Sequence, residues 1–102
     1  ERDAVHVVTQ VEQRAQAMRA QGASDDEVYR MRAQAFDTQA AARLAEVDRE
    51  EAAWAVRIAH YRQERARVQQ SVSAASEREQ ALAQLRQSLF NEAERPRLVA
   101  YE

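Results

Sequence analysis

The sequence predicts an all-α protein, an elongated array of about five helices around one long central helix, with short helices docked at its ends. Three observations carry that expectation. Ala, Arg, Glu and Gln, all strong helix formers, dominate the composition, and the 102 residues include one Gly and one Pro. The stretch from Asp37 to Gln70, DTQAAARLAEVDREEAAWAVRIAHYRQERARVQQ, contains no Gly, Pro or Asn. Within it Leu44, Val47, Glu51, Trp54, Ile58, Tyr61, Arg65 and Val68 alternate in steps of three and four, which is one stripe of a long helix. At about 1.5 Å per residue, a helix from Thr38 to Gln70 is roughly 50 Å long. A compact chain of this size has a radius of gyration of only about 13 Å. The helix outruns any globule, so the sequence predicts an extended molecule that lies along a partner.

The apolar material is thin. The hydrophobic share is 45%, but only 24 residues are Val, Ile, Leu, Met, Phe, Trp or Tyr, and Ala supplies the rest. Such a core stabilises a small domain only marginally. The 15 basic residues, all Arg, nearly balance the 17 acidic ones. A net charge of −2 gives no broad attraction to nucleic acid or to an anionic membrane. With no Cys, neither a disulfide nor thiolate chemistry is available. No stretch is apolar enough to span a bilayer, and no signal peptide is readable. The chain opens inside a helical pattern, which reads as a fragment with its targeting segment upstream.

The elements follow in order. The first helix is expected over residues 3–21, with Val5, Val8, Val11, Ala15 and Met18 on one stripe and Val7 off it. Gly22 supplies the left-handed residue that ends it. Ser24 with Glu27 three residues on is a capping box, and Asp25 and Asp26 suit the positive helix end. The second helix runs to about Ala35 and buries Val28, Met31 and part of Tyr29. Asp37 caps the long helix, and Phe36 can staple onto Ala41. The long helix fades at Ser71–Ala75. Ser76-Glu77-Arg78-Glu79 reads as a second capping box, opening a helix with Leu82, Leu85 and Leu89 on one face. Asn91 with Glu94 reads as a third, opening a last helix with Leu98, Val99 and Tyr101. Pro96 lacks the N–H that such a helix needs beyond its first turn, so the helix is expected to start later or bend there.

A weak repeat runs through the chain. Arg32, Phe36, Asp37, Arg43, Leu44 and Val47 align at a constant offset of 54 with Arg86, Phe90, Asn91, Arg97, Leu98 and Tyr101. Repeated helical units that cannot bury their own faces build extended arrays.

Chemistry is sparse. His6 and His60 lie on different helices, and Arg57 stands three before His60 where a di-iron bundle would need Glu. No nucleophile–base pair or glycine-rich phosphate loop is present, so no catalytic, cofactor or metal residues are assigned and an enzyme is not expected. The basic run Arg57, Arg62, Arg65 and Arg67 is broken by Glu64 and reads as a solvated, ion-paired helix face rather than a nucleic-acid site. Trp54 and Tyr61 have two readings: core anchors beneath docked helices, or anchors for a partner. Glu51 and Arg65 interrupt the seam and disfavour a plain homodimeric coiled coil.

Phe36-Asp37, Ala41-Ala42-Arg43-Leu44, Asp48, Trp54, Arg57, and Tyr61 with Arg65 together resemble the signature of the steric lipase chaperones, or lipase-specific foldases. The tail is similar to the same family at Leu82, Leu85, Arg86, Phe90, Ala93, Glu94, Arg95 and Arg97, and departs from it at Pro96. The resemblance implies an all-α protein whose two small helical domains are joined by an extended arm that wraps a secreted lipase. On that basis residues 1–70 are part of the arm and residues 71–102 the C-terminal small domain. The membrane anchor, the linker and the first small domain, with its Arg-x-x-Phe-Asp-Tyr activation motif, are missing. Arg32-Ala-Gln-Ala-Phe36-Asp37 has a different spacing and no Tyr, so binding rather than activation is assigned to this segment. The implied partner is the secreted lipase of the same source, met by Trp54, Arg57, Tyr61 and Arg65. The implied location is the periplasm, tethered to the inner membrane by the upstream anchor. No ATP, cofactor, nucleic acid or direct membrane contact is implied. The alternative is a self-associating helical protein, with homo-oligomerisation not favoured.

Overall fold

A computed structural model describes residues 2–102, with side chains from Ala4 onward. The elements are α1 (Arg2–Ala20), α2 (Asp25–Ala35), α3 (Thr38–Ser71), α4 (Ala75–Leu89) and a 3-10 helix (Arg95–Tyr101). No strand occurs among the described residues. The protein is all-α, and α3 runs unbroken for 34 residues, about 51 Å. Its contacts divide the chain into two compact units, Glu1–Glu50 and Glu51–Glu102, with the boundary inside α3. The arm and small-domain boundary expected after residue 70 falls within the second of these.

In the first unit, Gly22 adopts φ 92° and closes α1. The amide of Ala23 donates to Met18 O at 2.9 Å and that of Gly22 to Arg19 O at 2.9 Å, the paired bonds of a Schellman motif. Ser24 then caps α2: the Glu27 amide donates to Ser24 Oγ at 3.1 Å and the Ser24 amide to Glu27 Oε1 at 3.1 Å. Val11 and Ala15 of α1 pack on Val28 and Met31 of α2, with Met18, Ala23 and Phe36 around them. The α1 stripe is only half covered, because Val5 stays 67% and Val8 45% exposed. The reason is length: α2 has 11 residues against 19 in α1 and reaches only the later turns. Tyr29 is half-buried, as its place beside Val28 suggests. Asp37 caps α3 by accepting from the Ala40 amide at 2.7 Å, and Ala41 behind it is fully buried.

One cation in this unit is almost wholly enclosed. Arg32 is 3% exposed. Its Nε and Nη2 donate to the two oxygens of Glu12 at 3.0 and 2.7 Å, and its Nη1 donates to Asp48 at 2.7 Å. Arg19 shares the same Asp48 oxygen at 3.0 Å. The guanidinium of α2 thereby ties α1 to α3. Hydrogen bonding to Glu12, with Asp48 behind it, outweighs burial and holds the Arg32 pKa above its ordinary value.

The second unit is built from the later part of α3, α4 and the 3-10 helix. Ile58, Tyr61, Phe90 and Leu98 form its core, with Trp54, Leu85, Leu89 and Tyr101 packed against it. One expectation is corrected here. The Ser76 capping box does not form, because α4 starts at Ala75 with Ala74 as an extended N-cap that makes no side-chain bond. The connection is only Val72–Ala74, which places Ser76 inside the first turn, and Arg78 Nη1 steadies that turn by donating to Val72 O at 3.3 Å. The last helix starts later than its Asn91 cap, at Arg95, and is a 3-10 helix. The Asn91–Glu94 cap forms, with amide bonds of 2.9 and 3.0 Å in the two directions. One α-type turn follows, from the Arg95 amide to Asn91 O at 3.1 Å. Pro96 then has no N–H to continue it, and the next bond is the tighter one from Arg97 N to Glu94 O at 3.0 Å.

Replacing Arg32 leaves Glu12 and Asp48 facing each other without their shared cation. Each carboxylate is 34% exposed, so water screens part of the loss. Arg32→Met is expected to destabilise the chain by about 2 kcal/mol, read from urea unfolding followed by helical circular dichroism. Asp37→Ala is expected to destabilise it by about 1 kcal/mol through the lost cap.

Candidate partner-binding site

The period of α3 places Trp54, Arg57, Tyr61 and Arg65 along one face, and the second unit brings the first three around Phe90 with Arg65 beside Glu102. Trp54 is half-buried. Its ring meets Phe90 edge-on at 5.4 Å and Tyr101 at 6.5 Å, and its Nε1 donates to the Tyr101 hydroxyl at 3.3 Å. The Arg97 guanidinium lies 3.8 Å from the indole centroid, a cation–π contact.

Arg57 forks onto Glu94. Its Nη1 and Nη2 donate to the two carboxylate oxygens at 2.7 and 2.8 Å, and Nη2 also donates to Leu89 O at 2.9 Å. The same guanidinium stands 4.9 Å from the Phe90 ring. This one cation therefore fastens α3 to the end of α4 and to the turn that leads into the 3-10 helix.

Tyr61 has no exposed surface. Its ring meets Phe90 at 5.5 Å and 89°. Its hydroxyl donates to the Glu102 carboxylate and accepts from Arg86 Nε at 3.2 Å. Arg86 Nε also donates to Glu102 at 3.0 Å. Arg65 sits at the edge of this group, its Nε 3.8 Å from Glu102 and buried without a hydrogen-bond partner among the described residues. Burial, followed by the hydrogen bond to Glu102, pushes the Tyr61 hydroxyl pKa up. Burial also acts to raise Glu102, but Tyr61 and Arg86 outweigh it and its pKa lies below the usual carboxylate value.

Several participants were not named from the sequence. Arg86 and Phe90 occupy the repeat positions of Arg32 and Phe36, which was a usable signal. Glu102 is the repeat counterpart of Asp48 at the same offset of 54 and takes Arg86 as Asp48 takes Arg32. The Arg57–Glu94 pair spans 37 residues and leaves no local trace in the sequence. Glu12 and Asp48 around Arg32 form a second charged cluster, in the first unit, that was likewise not foreseen.

Residues 1–95 match the family described as proteobacterial lipase chaperone protein. The chain belongs to that family. A lipase chaperone of Chromobacterium violaceum is 38% identical over 85 residues, covering 82% of this chain and 28% of that protein. Lipase chaperones of Stutzerimonas stutzeri and Ectopseudomonas mendocina are each 32% identical over 93 residues, covering 90% of this chain and 28% of theirs. The chain thus spans 28% of the length of the curated relatives it matches. No solved structure matches it. No helix among the described residues of this lipase chaperone family member is long and apolar enough to cross a membrane.

The central ion pair of this family member carries a pH signature. Hydrogen bonds from Arg57, then the Asn91 amide, hold the Glu94 carboxyl at about 2 against an ordinary 4.5. A depressed carboxylate stabilises the fold fully above its unfolded pKa, and that stabilisation is lost as pH falls through the folded value. Wild type is expected to melt above Glu94→Gln at neutral pH. The gap should close as pH drops from 4.5 towards 2, as read by thermal circular dichroism at each pH.

Proposed function

We propose that this chain is the partner-binding segment of a steric chaperone that holds a secreted lipase and helps it reach its active fold. The observation that carries the reading is the family match across residues 1–95. The mechanism is templating. A helical surface binds the near-native lipase more tightly than less ordered forms and lowers the barrier between them. Binding energy does the work, so neither ATP nor a cofactor enters, and the chain itself is not an enzyme. The setting is the periplasm, with the whole chaperone tethered to the inner membrane by an anchor upstream of these residues.

The long continuous α3 supports this reading, since a helix of 34 residues offers many turns to a large partner. Trp54, Arg57 and Arg65 contribute from the half-buried side of that helix, and Tyr61 supports them from beneath. A second reading, self-association through the early turns of α1, is favoured by the exposure of Val5, Val7 and Val8.

Titration calorimetry of the chain against the secreted lipase of the same source, with sedimentation of the chain alone, separates the two. Saturable binding by a monomer supports the chaperone reading. A tight homo-oligomer without lipase affinity favours self-association. Within the first outcome, Trp54→Ala is expected to weaken lipase binding by more than about 1 kcal/mol while helical content is retained. Unchanged affinity in a folded variant removes Trp54 from the interface.

A further inference from the structure

The apolar groove of the second unit already holds a peptide-like occupant, the chain's own 3-10 helix. Leu98 is buried among Ile58, Tyr61 and Phe90, and Tyr101 packs against the same cluster beside Trp54. Glu102 then docks on Tyr61, Arg86 and Arg65. The occupant uses three anchors in a short space: an aliphatic residue, an aromatic three residues on, and a carboxylate directly after it.

The two repeat corners are held differently. In the first, Arg32 is 3% exposed and grips two carboxylates with three of its nitrogens, and the element it secures is the long α-helix α3. In the second, Arg86 bonds through Nε alone, to one carboxylate and a neutral hydroxyl, and its side chain is 27% exposed. The element it secures is a seven-residue 3-10 helix, whose hydrogen bonds are poorer than those of an α-helix. Pro96 within it donates no backbone bond. The second corner also holds one donor in reserve, since Arg65 Nε is buried 3.8 Å from Glu102 without a hydrogen-bond partner among the described residues.

We propose that the 3-10 helix is a displaceable strap. The groove beneath it, floored by Trp54, Tyr61 and Phe90 and closed by Arg65 and Arg86, is a binding site for a partner segment of the same chemistry, namely aliphatic, then aromatic three residues on, then acidic. The strap shields these rings from solvent until a competing segment takes its place. That the competing segment belongs to the lipase rests on the functional reading above; the groove and its specificity do not.

The probe is a fluorescein-labelled, N-acetylated peptide of residues 95–102, titrated by fluorescence anisotropy against the 102-residue chain. Glu102→Gln and Leu98→Ala weaken the strap through different contacts, one polar and one apolar. Both variants are expected to speed amide exchange at residues 97–101 and to bind the peptide at least about tenfold more tightly than wild type, because the intramolecular competitor has been loosened. A peptide carrying Gln in place of its final Glu is expected to bind more weakly than the parent. If a variant loses helical signal instead, the added peptide should restore it. The proposal is overturned if exchange in the strap is unchanged in both variants. It is also overturned if the strap opens without any gain in peptide affinity, or if lost helix is not restored by peptide. Displacement of the bound peptide by the lipase ties the groove to chaperoning. Peptide binding with no displacement leaves the groove standing and removes the lipase from it.

Discussion

At the turn from α2 into α3, the Arg32 guanidinium donates to Glu12 and Asp48 at once, and three helices meet on that single side chain. The apolar cluster beneath it has four buried residues, Val11, Ala15, Val28 and Met31, too few to fix the helices by burial alone. The second unit repeats the device with other partners. Arg57 joins α3 to Glu94 and to the last carbonyl of α4, and Arg86 joins α4 to Glu102. A chain with a thin core closes its corners with guanidinium forks. The fork suits that task because it offers several donors in a fixed plane and can stack on a ring while it pairs. Arg57 does this at Phe90 while it pairs with Glu94, and Arg97 lies over Trp54.

This arrangement divides the labour between the two charged corners. Where the arginine is enclosed and doubly paired, removing either kind of partner leaves charge in a poorly solvated place, so the corner is rigid. Where it is singly paired and a quarter exposed, water can reach the guanidinium when the carboxylate leaves. The templating proposed above would use both behaviours, a firm face and an apolar surface kept covered.

Local signals were legible because their physics is local. Gly22, Ser24 with Glu27, Asp37, and Asn91 with Glu94 each act within four residues, and all four form as their sequence suggests. The length of α3 followed from an absence of breakers and one unbroken stripe. Ser76 misled because capping depends on where the preceding helix lets go, and the connection proved two residues shorter than its composition implied. Pro96 announced an irregularity but not its form, which depends on the single α-type turn that precedes it. The site was half legible. The spacing of Trp54, Arg57, Tyr61 and Arg65 put them on one face, but Tyr61 is wholly enclosed by its own chain, and its partners Arg86 and Glu102 lie 25 and 41 residues away. Pairings over such separations are set by packing, and only the 54-residue repeat hinted at them.

Trp54 is the single tryptophan of the chain. Its indole N–H rests on the hydroxyl of Tyr101, and a guanidinium lies across its face. Excited-state indole is sensitive to both a hydrogen-bond acceptor and an adjacent cation, and Tyr101 at 6.5 Å is close enough to pass it excitation energy. The molecule thus carries a built-in optical gauge. Its emission colour reports on whether residues 95–101 lie against the indole, with no label attached and no other tryptophan to confuse the signal.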